Sequence, residues 1–256
     1  MAQMIKFQMN NSLILLTGAD IPFVEGTVTI HQPSIYEISL IGEEAFFSGC
    51  ELLRFSKDIL NSEDKNRLKN QTDFNILMSI MNDKSESTRY SVSCAKQVLD
   101  LIFPLYSVEI ERETIELYDR ETLMPSGQLN NINFLSFKDI IINMFCLHKA
   151  SSTQEYNVQG ELAKKIAEKF QKRKQQLAEL SSSKQNKVAI FSRYISILTV
   201  GEHKDMNSFM KYTVYQLFDE FQRFELKMGY DIYFKARLAG AKELKEPEDW
   251  MKDIHE

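Results

Sequence analysis

The chain is poor in the residues that mark stapled, fibrous or membrane-borne proteins. Its three cysteines, Cys50, Cys94 and Cys146, are far apart and odd in number, which argues against a disulfide framework and suits buried thiols in a reducing compartment. Nine glycines and five prolines in 256 residues exclude a collagenous or low-complexity chain and favour helix over sandwich. Nowhere do eighteen apolar residues run together, so no membrane span is expected. The opening "MAQMIKFQMNNSLILLTGAD" has one lysine, a short apolar run and no small-residue cleavage site, and it does not read as a secretory signal. Net positive charge is also lacking: the formal net charge of -5 and the pI near 5.6 give the surface as a whole no attraction for nucleic acid or anionic lipid. A cytoplasmic protein with a core of its own is expected.

Motifs for chemistry are missing as well. The sequence has no G-x-S-x-G elbow, no phosphate-cradling glycine loop and no cysteine in an activating context. Cys146 and His148 in "CLH" form the one close pair of metal-ligand types, and residues two apart on a helix point in different directions. His31, His203 and His255 are scattered. The carboxylates of "EIERETIELYDRE", Glu109 and Glu111 among them, alternate with apolar residues and belong on the wet face of a hairpin. No enzyme, cofactor or metal is expected.

What is present reads as two halves. "SLILL" and "GTVTIHQP" carry strand signals. Ser34, with Glu37 three residues on, predicts a capping box, and Ile35, Ile38, Ile41 and Ala45 continue one helix to about Phe55. Thr72 caps "DFNILMSIM", and "STRYSVSCAKQVLDLIF" forms a helix stopped by Pro104. "YSVEIE" and "TIELYD" alternate as a hairpin, "SGQLNNIN" is a loop, and Ser136 caps the apolar "FKDIIINMFCLH". After a polar connector, Asn157 caps a long helix with Leu162, Ile166, Phe170 and Leu177 as its seam. "SSSKQNK" is linker-like, "VAIFSRYISILTV" is helical up to Gly201, and an acidic tail, "EPEDWMKDIHE", carries Trp250. The fold class is therefore α+β. A mixed domain over 1–150 holds small antiparallel β elements and helices, and an all-helical domain with an acidic tail spans 151–256.

Two stretches stand out for binding. In "TVYQLFDEFQRFELKMGYDIYFKARLAGAK", residues 213–242, Val214, Leu217, Phe221, Phe224 and Met228 follow the spacing of one helix face, while Tyr215, Phe218 and Tyr233 point elsewhere. The simple reading makes the rings core; the sharper one leaves Tyr215, Phe218, Tyr233, Trp250 and Met251 for a partner. The basic helix 161–187 gathers Lys164, Lys165, Lys169, Lys172, Arg173 and Lys174 and is a candidate nucleic-acid contact. Glu161 with Lys165 and Glu168 with Lys172 stand at the spacing of an ordinary solvated helix, and no base-reading motif accompanies them, so nucleic acid is not the expected partner.

"GTVTIHQPSIYEISLIGEEAFF" resembles the opening of small proteins encoded among the tail genes of tailed bacteriophages. The segment from "TVYQLFDEF" through "DWMKDI" is similar to the carboxy-terminal part of phage tail assembly chaperones and neighbouring tail-module proteins. The resemblance implies a protein without catalytic residues, working in the cytoplasm of the infected bacterial host. There it would bind the hydrophobic helices of the tape measure protein until tail tube protein replaces it, in a helix-in-groove mode. A neck or baseplate component that stays in the virion is the alternative, and self-association into a homo-oligomer is left open.

Overall fold

The computed structural model describes residues 12–57, 68–83, 85–147, 189–240 and 246–252. Small antiparallel sheets lie in the N-terminal half and helices dominate the C-terminal part, an α+β architecture. The first element corrects the sequence reading: "SLILL" is not a strand but a short helix, α1 (Ser12–Thr17). Glutamine hydrogen bonds tie this helix and the turn after it to distant parts of the chain. The Gln32 amide donates to the carbonyls of Ile14 at 2.9 Å and Ala19 at 2.5 Å, and the Gln216 amide to that of Leu16 at 2.6 Å. The bonds to Ile14 and Leu16 satisfy carbonyls that a helix end leaves open, from residues far along the chain.

A hairpin follows, β1 (Ile21–Phe23) and β2 (Val28–Ile30), with Ile21 opposite Ile30 and Phe23 opposite Val28. The predicted capping box is present: the Ser34 hydroxyl accepts from the Glu37 backbone, and the Glu37 carboxylate accepts from the Ser34 backbone at 2.7 Å. Glu37 also lies 3.3 Å from His31, whose other ring nitrogen is 3.0 Å from Asp20. The expected single helix from Ser34 is broken in two at Gly42, whose φ of +88° is ready for glycine and strained for other residues. The pieces are α2 (Ile35–Ile41) and α3 (Glu43–Leu53).

Thr72 caps α4 (Asp73–Met81) as expected, and α5 (Glu86–Ile102) stops before Pro104. At Gly49, α3 and α5 touch backbone to backbone, so that a Cβ there would stand 2.5 Å from the Cys94 carbonyl oxygen. The hairpin β3 (Tyr106–Ile110) and β4 (Ile115–Asp119) is joined by a strand read as loop, β5 (Pro125–Leu129). Gly127 lacks β propensity and is needed for space, since a Cβ would lie 2.7 Å from a Val28 methyl. The next helix, α6 (Phe134–Met144), starts ahead of Ser136, with Asn133 at the N-cap position. The C-terminal helices are α7 (Ile190–Glu202), the unanticipated single turn α8 (Met206–Phe209), and α9 (Val214–Leu238).

One hydrophobic core joins residues from both sides of position 150. Phe46 of α3 meets Phe145 at 4.8 Å and Phe191 at 6.0 Å between ring centroids. The backbones join too, with Ile35 donating to Tyr212 at 2.8 Å and Tyr36 to Met210 at 2.9 Å. Glu43 accepts hydrogen bonds from the free amides of Ile190 and Phe191 at the start of α7, a favourable place for a carboxylate.

Candidate partner-binding surface

The longest described helix starts from a second capping box, in which Thr213 accepts from the Gln216 amide at 3.3 Å and the Gln216 side chain accepts from the Thr213 backbone at 2.9 Å. Its 25 residues span about 37 Å at the usual rise. Along the first half, apolar residues three and four apart face the core. Val214, Tyr215, Leu217 and Phe221 are buried. Tyr194 of α7 stacks on Phe221 with centroids 3.8 Å apart and planes 4° from parallel, and also meets Phe218 at 5.1 Å. Phe224 fills the space over Gly201, where a Cβ would collide with its ring.

The spacing continues past Phe224, but burial does not. Met228 and Ile232 extend the core-facing row and are 44% and 61% exposed. On the other flank Tyr230 and Phe234 pack ring on ring at 4.6 Å, Tyr233 meets Phe234 at 5.5 Å, and Leu238 is 87% exposed. Beyond Phe221 no described residue of α9 is buried. The C-terminal segment folds back on the helix where this change occurs: Arg223 donates to the carbonyls of Trp250 at 3.1 Å and Lys252 at 2.5 Å. That contact leaves Trp250 and Met251 exposed at the border of the free half.

The predicted partner residues thus divide. Tyr215 is 7% exposed and Phe218 is packed on Phe191 and Tyr194, so the expectation that these two rings point outward is corrected. Phe218 packs on α7, and together with the buried Tyr215 it widens the buried face beyond one stripe. Tyr233 is half-buried under Arg237, which donates to its hydroxyl at 2.9 Å. Trp250 and Met251 are at the surface as expected. Met228, read as core, is not. Phe234 and Leu238 were missed, although their spacing of four residues, with Tyr230 four earlier, marks a second row. Lys164, Lys165, Lys169, Lys172, Arg173, Lys174 and His148 lie outside the described residues.

Two other polar clusters among the described residues are internally paired. The Ser34 hydroxyl donates to Glu37 at 2.6 Å and serves as a helix cap. A shallow cavity of 270 Å³ at the start of α4 is lined by Lys57, Asp73 and Lys138, where Lys138 is already paired with Asp73 at 2.9 Å. Burial pushes the Asp73 carboxyl up, and hydrogen bonds from Lys138 and the Lys57 backbone more than reverse this, leaving it below the ordinary range. Burial raises the Cys50 thiol far above its usual value and pushes that of Cys146 up to about 12, with Asp219 adding to the second. Neither is an activated nucleophile. Among the described residues no group of three or more His, Cys, Asp or Glu could hold a metal ion. No described helix is long and apolar enough to cross a membrane.

The family model described as the YomV second domain matches residues 183–255. A phage-associated domain is present there. The matched span takes in α7, α8, α9 and the tail held by Arg223, so the half-free helix and its supports fall within one recognised unit. No curated protein and no solved structure matches the chain.

Proposed function

We propose that this chain is a non-catalytic phage morphogenesis protein that captures an apolar helix of the tape measure protein during tail assembly in the host cytoplasm. The observation that carries the reading is the second half of α9, where exposed Phe234 and Leu238 form an apolar row with the half-buried Tyr230 inside a phage-associated domain. Aromatic rings supply much of the binding energy at protein interfaces and lose little conformational entropy when they do so. Trp250 and Met251 extend the greasy surface beside it, and a methionine adapts to varied client side chains. A helix laid along such a row is held by anchors at steps of three and four residues, which tolerates a changing client sequence. Release would follow when tail tube protein competes for the same client helices.

The test is capture of purified tape measure fragments by the full chain. Phe234→Ala combined with Trp250→Ala is expected to weaken capture at least about tenfold while the thermal midpoint stays close to the parent's. Unchanged capture would defeat the reading. Quantitative mass spectrometry of purified virions separates it from the neck or baseplate alternative: a transient chaperone is absent from finished particles, and a stoichiometric complement there would make the protein a structural component.

A further inference from the structure

The opposite flank of the same helix carries a pattern that the client reading does not use. Glu225, Met228, Ile232 and Lys235 follow one another at steps of three, four and three residues, the spacing of a helix–helix seam. All four are exposed, and they prolong the row that Val214, Leu217 and Phe221 bury in the first half. Read from either end the steps are the same, with residue 230 as the midpoint. We propose that this seam pairs antiparallel with the same seam of a second copy of this chain.

Charge and order commit the seam to that occupant. A two-fold axis at the midpoint sets Glu225 of each protomer against Lys235 of its partner and Met228 against Ile232, so four apolar side chains are closed at both ends by opposite charges. Parallel pairing would instead place glutamate against glutamate and lysine against lysine, and like charges across an interface are costly. Gly229 sits beside the seam, and a Cβ there would meet nothing within 4 Å, which leaves room for a second backbone to come close. Within the protomer the charged neighbour of Glu225 is Arg193 of α7; no ion pair to Lys235 exists among the described residues. A self-complementary patch used by both subunits is the ordinary geometry of a two-fold dimer.

The pairing stands apart from the client reading, because Tyr230 and Phe234 lie on the other side of the helix. Sedimentation velocity of the full chain over a range of concentrations reads it directly. The parent is expected to shift from monomer to dimer with concentration. Glu225→Lys and Lys235→Glu alone should each weaken the dimer at least about tenfold, and the double exchange should restore it, because the Glu–Lys pairs are re-formed with sides reversed. The Lys235→Glu arm leaves Arg193 and its neighbour untouched. A monomer at every concentration, or a dimer indifferent to both reversals, or a double exchange no better than the singles, overturns the proposal. Tape measure capture measured on the same variants keeps the two ideas apart, since the rings are intact in all of them.

Discussion

The two halves of α9 obey one spacing rule and meet opposite fates. From Val214 to Phe221 the apolar row is buried against α7 and the N-terminal elements, Phe224 is half-buried, and Met228, Ile232 and Leu238 stand in solvent among the described residues. Periodicity reports which side of a helix is apolar and is silent about what covers it. The first half is built in from several directions. Gln216 reaches α1, Thr213 pairs with Ser34 across an isolated bridge, and Tyr194 lies flat on Phe221. The second half has its own internal ring contacts and the Arg237 hydrogen bond to Tyr233. A protein that needed the helix only for its core could end it near Phe224. The additional turns expose apolar surface, which has a cost in solubility and is the surface the proposed binding would use.

The sharpest way to break this contrast is to cut a ring from each half. Phe221→Ala should destabilise the fold by about 3–4 kcal/mol, through lost burial and the cavity left beside Tyr194. Phe234→Ala should cost less than about 0.5 kcal/mol, as an exposed substitution does. Denaturant titration of both variants measures the pair. Equal losses would mean that the second half is as much a part of the core as the first, and the binding surface would vanish with the difference.

The next effect is at the helix start. Thr213→Ala removes the acceptor for the Gln216 amide and a methyl group next to Gly18, and should cost about 1–2 kcal/mol. The loss should appear in global stability, because this cap is buried at the joint between α1, α2 and α9. If only the helix end frays and the denaturation midpoint holds, the first half is less tightly built in than its geometry says.

Acid should act on the same joint. Burial pushes the Glu37 carboxyl up, but hydrogen bonds from the Ser34 side chain and backbone and the neighbouring His31 outweigh it, and the folded value lies below the ordinary one. A depressed carboxylate contributes stability that is fully present above its unfolded pKa, about 4.3–4.5, and is lost as pH falls through the folded value. Stability measured downward from pH 6 should therefore decline below about pH 4.5, and Glu37→Gln should flatten part of that decline. The carboxylate is partly exposed, so the effect is smaller than that of the cap. An unchanged acid profile in the variant would remove Glu37 from the joint's energetics.

Much of the fold was legible where the determinants are local. The Ser34–Glu37 box, the Thr72 and Thr213 caps, the stop before Pro104 and the β3–β4 alternation depend on residues within one turn or one strand of each other. The misreadings share a cause of the opposite kind. The carbonyls of the helical "SLILL" are met in part by Gln32 and Gln216, one of them 200 residues away, contacts that no local pattern records. Gly127 enters β5 because Val28 leaves no room for a side chain. Gly42 divides one periodic run because its backbone turns into the positive-φ region, a choice the apolar pattern does not record. At the candidate site the ring-rich helix was evident from composition. Which rings face out was not, because the position where α7 stops covering α9 is a property of packing between helices.

The smallest effect tests the contrast most directly. Gly229 lies in the exposed half, in a helix interior, with empty space where a Cβ would go. Glycine at such a site is less favourable than alanine by up to about 1 kcal/mol, so Gly229→Ala should stabilise helix. Where that gain appears is the informative part. If the second half of α9 opens independently of the core, the substitution raises helical signal and slows amide exchange over 226–238 while the global midpoint barely moves. If the helix is one cooperative unit with the core, the full increment appears in the midpoint instead, and the exposed half is then a rigid extension rather than a segment that orders on contact. The two outcomes also differ in binding. A helix that orders on contact should gain affinity from the alanine by preorganisation, whereas an already rigid one should gain none.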